Sequence, residues 1–185
     1  DAKDFNTLSL SNSQTSAFAA SVSLDASAGT NSIEITSIAK EQRTISVGFD
    51  SKTTALNGNG DTSISISVGG GATQTLTITG ATLESVRDSI NNANLGIKAE
   101  ILDTGAASGN FRLQLVGESG ASKNFTISSD ASALSFSQLQ ASSDAALKVN
   151  GVDFTRSSNT ITDVIQGVTL NLNSATTGTA TLGVN

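Results

Sequence analysis

The 185-residue chain contains no cysteine, histidine, methionine, tryptophan, tyrosine or proline. Without cysteine there are no disulfide staples, so apolar packing and sheet hydrogen bonds have to hold the fold, a condition compatible with an extracellular location. The missing types also remove the imidazole base, the thiol nucleophile, the phenol and the soft metal ligands, and with them most catalytic machinery. Charge is sparse at 14%, acids outnumber bases 16 to 10, and the net charge of -6 argues against a nucleic-acid backbone or an anionic membrane as partner. No apolar run of about 18 residues occurs. No charged-then-apolar leader precedes Asp1, so the chain reads as neither spanning a membrane nor carrying a cleavable signal, and the lack of any methionine reads as an excised fragment or processed product.

What is abundant is hydroxyl: more than a quarter of the residues are Ser or Thr, while the 7 aromatics are all Phe. Apolar residues alternate with these hydroxyls in short segments, the period-two signature of strands with one buried face. The alternation is clearest at 18–24, 33–35, 45–49, 64–68, 76–78, 97–101, 111–115, 125–127, 168–172 and 180–184. Thr and Ser on the alternate positions keep the outer face wet without adding charge, which favours antiparallel sheets solvated on one side.

One segment changes period. Leu83, Val86, Ile90 and Ala93 fall on a single helical stripe, with Thr82 placed to cap its start, Glu84 near the positive end and Gly96 as the stop. A second, shorter helical turn is expected at 160–165, where Thr160 and Asp163 form an imperfect capping box. Asn150-Gly151 predicts a two-residue hairpin between the runs Leu147-Val149 and Val152-Phe154. Loops are expected at 56–61, at Gly69-Gly70-Gly71 and at 103–110. Polar breaks near 50–61 and at 141–144 bracket a block of strands and helix. The expected architecture is therefore mainly β: two small, sandwich-like antiparallel domains, a discontinuous base at 1–50 plus 143–185 and an inserted domain at 51–142 that carries one helix.

Candidate sites are few. Asn57, Asn59 and Asp61 have the oxygen spacing with which calcium loops begin, but Thr62 stands where the loop needs Gly and Val68 where a closing Glu belongs, so a plain polar linker is the better reading. Paired carboxylates could hydrolyse glycosides without histidine, yet the acids are scattered, and Glu34, Glu100 and Asp153 read as solvated charges on strands or hairpin sides. Gly58-Asn59-Gly60 and Gly69-Gly70-Gly71 lack the remainder of any phosphate-binding pattern. Asn124-Phe125-Thr126 matches the N-glycosylation triplet, with Phe125 reading as a core residue of a strand. No catalytic, cofactor-binding or metal-binding residues are assigned.

The tract 144–170 contains Leu147-Lys148-Val149-Asn150-Gly151-Val152-Asp153-Phe154-Thr155-Arg156-Ser157-Ser158-Asn159-Thr160-Ile161, then Gln166-Gly167-Val168. It resembles a tract of the bacterial flagellar filament-cap family, FliD. Two further stretches are similar to the same family in the same order: Asn31-Ser32-Ile33-Glu34-Ile35-Thr36-Ser37-Ile38-Ala39-Lys40-Glu41-Gln42, and Thr82-Leu83-Glu84-Ser85-Val86-Arg87-Asp88-Ser89-Ile90-Asn91-Asn92-Ala93 followed by Phe111-Arg112-Leu113-Gln114-Leu115. No heptad helices precede Phe5 or follow Val184, so the resemblance is expected to cover head domains without the coiled-coil legs. It implies a non-catalytic, extracellular cap at the tip of the flagellum, in which a homo-oligomeric ring assists the folding and insertion of flagellin. The implied partners are other copies of the chain, flagellin, the hook-filament junction proteins and, on the outer surface, host mucin or surface glycan, with no nucleic acid, membrane or cofactor. Composition alone fits equally an extracellular β-sandwich adhesin domain that binds glycan or a surface protein.

Overall fold

The computed structural model describes residues 8–185, whose elements follow the chain in three stretches. The first holds β1 (Leu10–Asn12), β2 (Phe18–Val22) and β3 (Gly29–Ser37). The second holds β4 (Glu41–Ser46), β5 (Leu56–Asn59), β6 (Asp61–Val68), β7 (Gln74–Thr79), the helix α1 (Leu83–Asn92), β8 (Lys98–Asp103), β9 (Phe111–Ser119), β10 (Phe125–Ser129) and β11 (Phe136–Gln140). The third holds β12 (Ala145–Val149), β13 (Val152–Arg156), β14 (Thr160–Ile165), β15 (Val168–Leu172) and β16 (Ala180–Val184). The chain divides into two compact units, one built from the residues through Ala39 together with Asp144–Asn185, the other from Lys40–Ser143.

In the first unit, antiparallel strands form one sheet in the order β1-β16-β3-β12-β13 and another in the order β14-β15-β2. Their inward positions are apolar: Phe18, Ile33, Ile35, Leu147, Leu170 and Leu182 are fully buried. Along β15, Val168, Leu170 and Leu172 are buried while Thr169 and Asn171 are not, the alternation a one-sided strand requires. The Asn150-Gly151 turn joins β12 to β13 with φ of 52° and 81°. Both residues sit in the left-handed region that Asn and Gly tolerate.

The helical turn expected at 160–165 is a strand instead. Five of its six residues (Thr160, Ile161, Thr162, Val164, Ile165) are β-branched, which favours a pleated surface. Ile161 is buried in the core, and β14 pairs with β15 through a bulge between Ile161 and Ile165. Asp163 accepts from the Arg156 guanidinium at 3.0 Å and caps nothing. Gly167 (φ 70°) turns the chain into β15, where a Cβ would lie 2.5 Å from the Ala26 nitrogen, so glycine is required. The strand expected to reach Leu24 stops at Val22, leaving Leu24 exposed.

In the second unit, one sheet runs β11-β4-β9-β8 and another β10-β6-β7. Helix α1 buries Leu83, Val86 and Ile90 in the same core as Ile64, Ile66, Leu113 and Leu115. Thr82 caps it as expected: its hydroxyl accepts the Ser85 amide at 3.1 Å, and the Ser85 hydroxyl accepts the Thr82 amide at 2.8 Å. The helix stops short of the expected Gly96 because Asn94 (φ 52°) already adopts the left-handed conformation.

Two boundaries differ from the sequence reading. Residues 40–50, expected in the base at 1–50, belong to the second unit, because β4 pairs with β9 on one side and β11 on the other. Lys40 and Ser143 exchange backbone hydrogen bonds at 2.9 and 3.0 Å, so the two chain crossings are fastened as a single rung rather than at the polar stretch near 50. The loop expected over 56–61 contains a short strand, β5, whose Leu56 amide donates to the Ala81 carbonyl at 2.7 Å.

Candidate functional site

The sequence Glu41-Gln42-Arg43-Thr44-Ile45-Ser46-Val47 alternates strictly, so one of its two faces must turn inward. The apolar set Ile45, Val47 and Phe49 is the obvious inner face; the structure turns β4 the other way, and only Phe49, beyond the strand, packs against the core. Gln42, Thr44 and Ser46 are buried to 3% exposure or less, whereas Val47 is 40% exposed.

The inversion is satisfied by hydrogen bonding. The Gln42 side chain behaves like a stretch of backbone: its oxygen accepts the Phe125 amide at 2.9 Å and its nitrogen donates to the Phe125 carbonyl at 2.8 Å, tying β4 to β10 of the other sheet. The same nitrogen donates to the Thr44 hydroxyl at 3.1 Å. The Ser46 hydroxyl accepts the Leu113 amide at 2.8 Å and donates to the Val47 carbonyl at 2.7 Å. Buried polar groups carry little cost once they are paired in this way. Parity was the signal in the sequence: Glu41 and Arg43 share a face with Ile45 and Val47, and two charges do not go inside unpaired.

Register assigns the outer face of the four-stranded sheet. One row runs from Ser137 through Ile45 and Gln114 to Glu100, and a second from Gln140 through Arg43 and Val116 to Lys98, while Arg112 lies opposite Leu102. Apolar Ile45, Val47, Val116 and Leu102 are thus interleaved with Arg43, Lys98 and Arg112, and Leu139 stands 65% exposed at the bulge of the edge strand β11. Arg43 pairs with Glu41 at 2.6 Å and Lys98 with Glu100 at 2.6 Å. The Glu41 carboxyl is held below the ordinary range, first by its own backbone amide and then by Arg43. Part of this face forms an open groove of about 640 Å³ bordered by Arg43, Asn94, Gly96, Lys98, Gln114 and Glu118. The surface suits contact with another polymer chain, since it has apolar patches for burial and fixed charges for register.

The acidic candidates do not converge. Glu34 lies opposite Lys148 across β3 and β12, and Asp153 approaches the same lysine at 3.9 Å, so two of them flank one cation in the first unit. Glu100 lies in the second unit beside Lys98. Asn57 donates to the Asp61 carbonyl at 3.0 Å, and the Asp61 carboxylate accepts the Thr79 hydroxyl at 2.6 Å. Among the described residues there is no group of three or more acidic side chains placed to hold a metal ion. In the Asn124-Phe125-Thr126 triplet Phe125 is buried, as its strand position implied.

Residues 142–185 match the family model described as the flagellar hook-associated protein 2 C-terminus. Over 169 residues, 82% of the chain, it is 33% identical to the flagellar hook-associated protein 2 of Escherichia coli O157:H7, and over 105 residues, 49% of the chain, 33% identical to that of Salmonella typhimurium. The matches span 36% and 22% of those relatives, so the chain corresponds to a fraction of their length. The crystal structure of the D2-D3 domains of the flagellar cap protein FliD from Escherichia coli superposes with a TM-score of 0.82 at 33% identity, covering 96% of this chain and 98% of that one.

Proposed function

The chain belongs to the flagellar hook-associated protein 2 (FliD) family, and we propose that it is the head region of a filament cap, a scaffold without catalysis that sits outside the cell at the tip of the growing flagellum. The observation that carries this reading is the match to a FliD D2-D3 structure over nearly its whole length; the adhesin reading has no comparable support. In this role, copies of the parent protein form a ring that holds exported flagellin while it folds and inserts, next to the hook-filament junction proteins and with an outer surface open to host mucin or glycan. A closed ring needs two different patches on each copy. The outer face of the sheet β11-β4-β9-β8 is a suitable one.

The chemistry of the chain is compatible with passage through an export channel. A chain that lacks cysteine and proline refolds without disulfide reshuffling or slow prolyl isomerisation. The test is a domain exchange: the D2-D3 segment of Escherichia coli FliD is replaced by this chain in cells lacking their own cap, and filaments are counted against flagellin released into the medium. The reading expects filaments to be restored. Flagellin shed as monomer, with the chimeric protein exported and folded, would contradict it.

A further inference from the structure

Asn-Gly occurs three times in the chain, at 57–58, 59–60 and 150–151. In such a pair, the backbone nitrogen of the glycine can attack the preceding side-chain amide unhindered by a Cβ, and the three copies stand in very different surroundings. We propose that Asn59 is a site of spontaneous deamidation, that Asn57 is a slower one, and that Asn150 is protected by the fold.

The step needs only water. The Gly60 nitrogen gives up its proton and attacks Cγ of Asn59, the Cγ–Nδ2 bond breaks, and Nδ2 leaves as ammonia with the proton. Water then opens the resulting succinimide at either carbonyl, leaving aspartate or isoaspartate. No oxidant or reductant takes part.

Geometry sets the order. Asn59 is the exposed last residue of β5, at the turn into β6, and its side chain has no hydrogen-bond partner among the described residues, so it is free to rotate toward the Gly60 nitrogen. That nitrogen donates only to the Asn57 carbonyl, at 3.1 Å across an exposed turn. Asn57 must first release its bond to the Asp61 carbonyl at 3.0 Å. Asn150 is held twice: its oxygen accepts the Ser32 amide at 2.9 Å and its nitrogen donates to Asn31 Oδ1 at 2.9 Å, within a hairpin whose strand β12 is laddered on both sides. Conversion at Asn59 places a new carboxylate two residues from Asp61, and the isoaspartyl product adds a methylene to the turn that Gly60 closes.

The experiment ages the purified chain in mildly alkaline buffer at physiological temperature and follows each asparagine by peptide mapping with mass spectrometry and isoaspartyl methyltransferase labelling. A parallel sample is aged in urea, and the Asn59→Asp variant serves as the blank. Two hydrogen bonds to be given up correspond to roughly five- to 150-fold in rate, so Asn59 is expected to convert at least about fivefold faster than Asn150 in the folded chain. In urea the three sites should converge. Asn150 converting as fast as Asn59 in the folded chain, or Asn59 converting no faster than Asn171, which lacks a following glycine, would overturn the proposal.

Discussion

Both units are made of two antiparallel sheets, yet they treat the two faces of a strand differently. Along β15 of the first unit the inner positions are apolar and the outer ones are Thr169 and Asn171. In the second, β4 puts Gln42, Thr44 and Ser46 inside and leaves Ile45 outside, with Val47 exposed just past its end. All four buried polar residues among those described, these three and Thr62, lie in the second unit. Cations divide the same way: Arg43, Lys98 and Arg112 share one face there, whereas the described part of the first unit has only Lys148 and Arg156. A sheet stabilised by inward hydrogen bonds can keep apolar side chains for its surface. Exposed apolar side chains occur in both units, Val152 at 57% in the first and Leu139 at 65% in the second, so what sets the second apart is that its face also carries three cations.

Substitutions can break this comparison, beginning with the largest effect. Leu182→Ala empties a fully buried site in the first core and should cost about 2–5 kcal/mol. Hydrogen exchange should show protection lost in β3 and β16 and retained in β6 and β9; uniform loss would mean that the two cores are not separate. Gln42→Ala leaves the Phe125 amide and carbonyl unpaired and should cost about 2–3 kcal/mol in the second unit, read as lost protection in β4 and β10. A loss no greater than that of an exposed Gln138→Ala would show that the polar seam contributes nothing.

Thr62→Val removes a buried hydroxyl that has no hydrogen-bond partner and should stabilise the second unit by about 1 kcal/mol, seen as a higher urea midpoint. The smallest effect is that of pH. Hydrogen bonding to Ser23 holds Asp25 below the ordinary carboxylate range, as bonding to the Arg156 guanidinium does for Asp163 and bonding to Asn110, then the Gly105 amide, does for Asp103. A depressed folded-state value contributes stability that is present above the unfolded pKa, about 4, and is lost as the pH falls through the folded one. All three groups are exposed, so denaturation midpoints should be flat above about pH 4 and decline only modestly below it.

Much of the fold was legible. Asn150-Gly151 announced its hairpin because few residues accept two positive φ values in succession, and Thr82 with the stripe Leu83, Val86, Ile90 announced the helix through capping chemistry and period. Three features were not legible. Thr160 to Ile165 carries cap-like residues, but β-branched packing of Ile161 against the core outweighs them. The crossing at Lys40 is marked by no Gly or Pro, only by the backbone rung to Ser143. Ile45 and Val47 look like an inner face until the charges sharing their parity are weighed, and Gln42 finds its partner 83 residues away. The outward sheet face was hidden for that reason: hydrophobicity read along one strand says nothing of which hydrogen bonds a distant strand will offer.

The orientation of β4 underlies the whole account, and the absence of cysteine makes it directly measurable. Val47→Cys and Thr44→Cys each introduce a single thiol, and reaction with a maleimide reports its exposure in the folded chain. With β4 so oriented, the thiol at 47 should react nearly as fast in buffer as in denaturant, while the thiol at 44 should react only on unfolding. Rapid labelling at 44 with protection at 47, in folded protein, would contradict it.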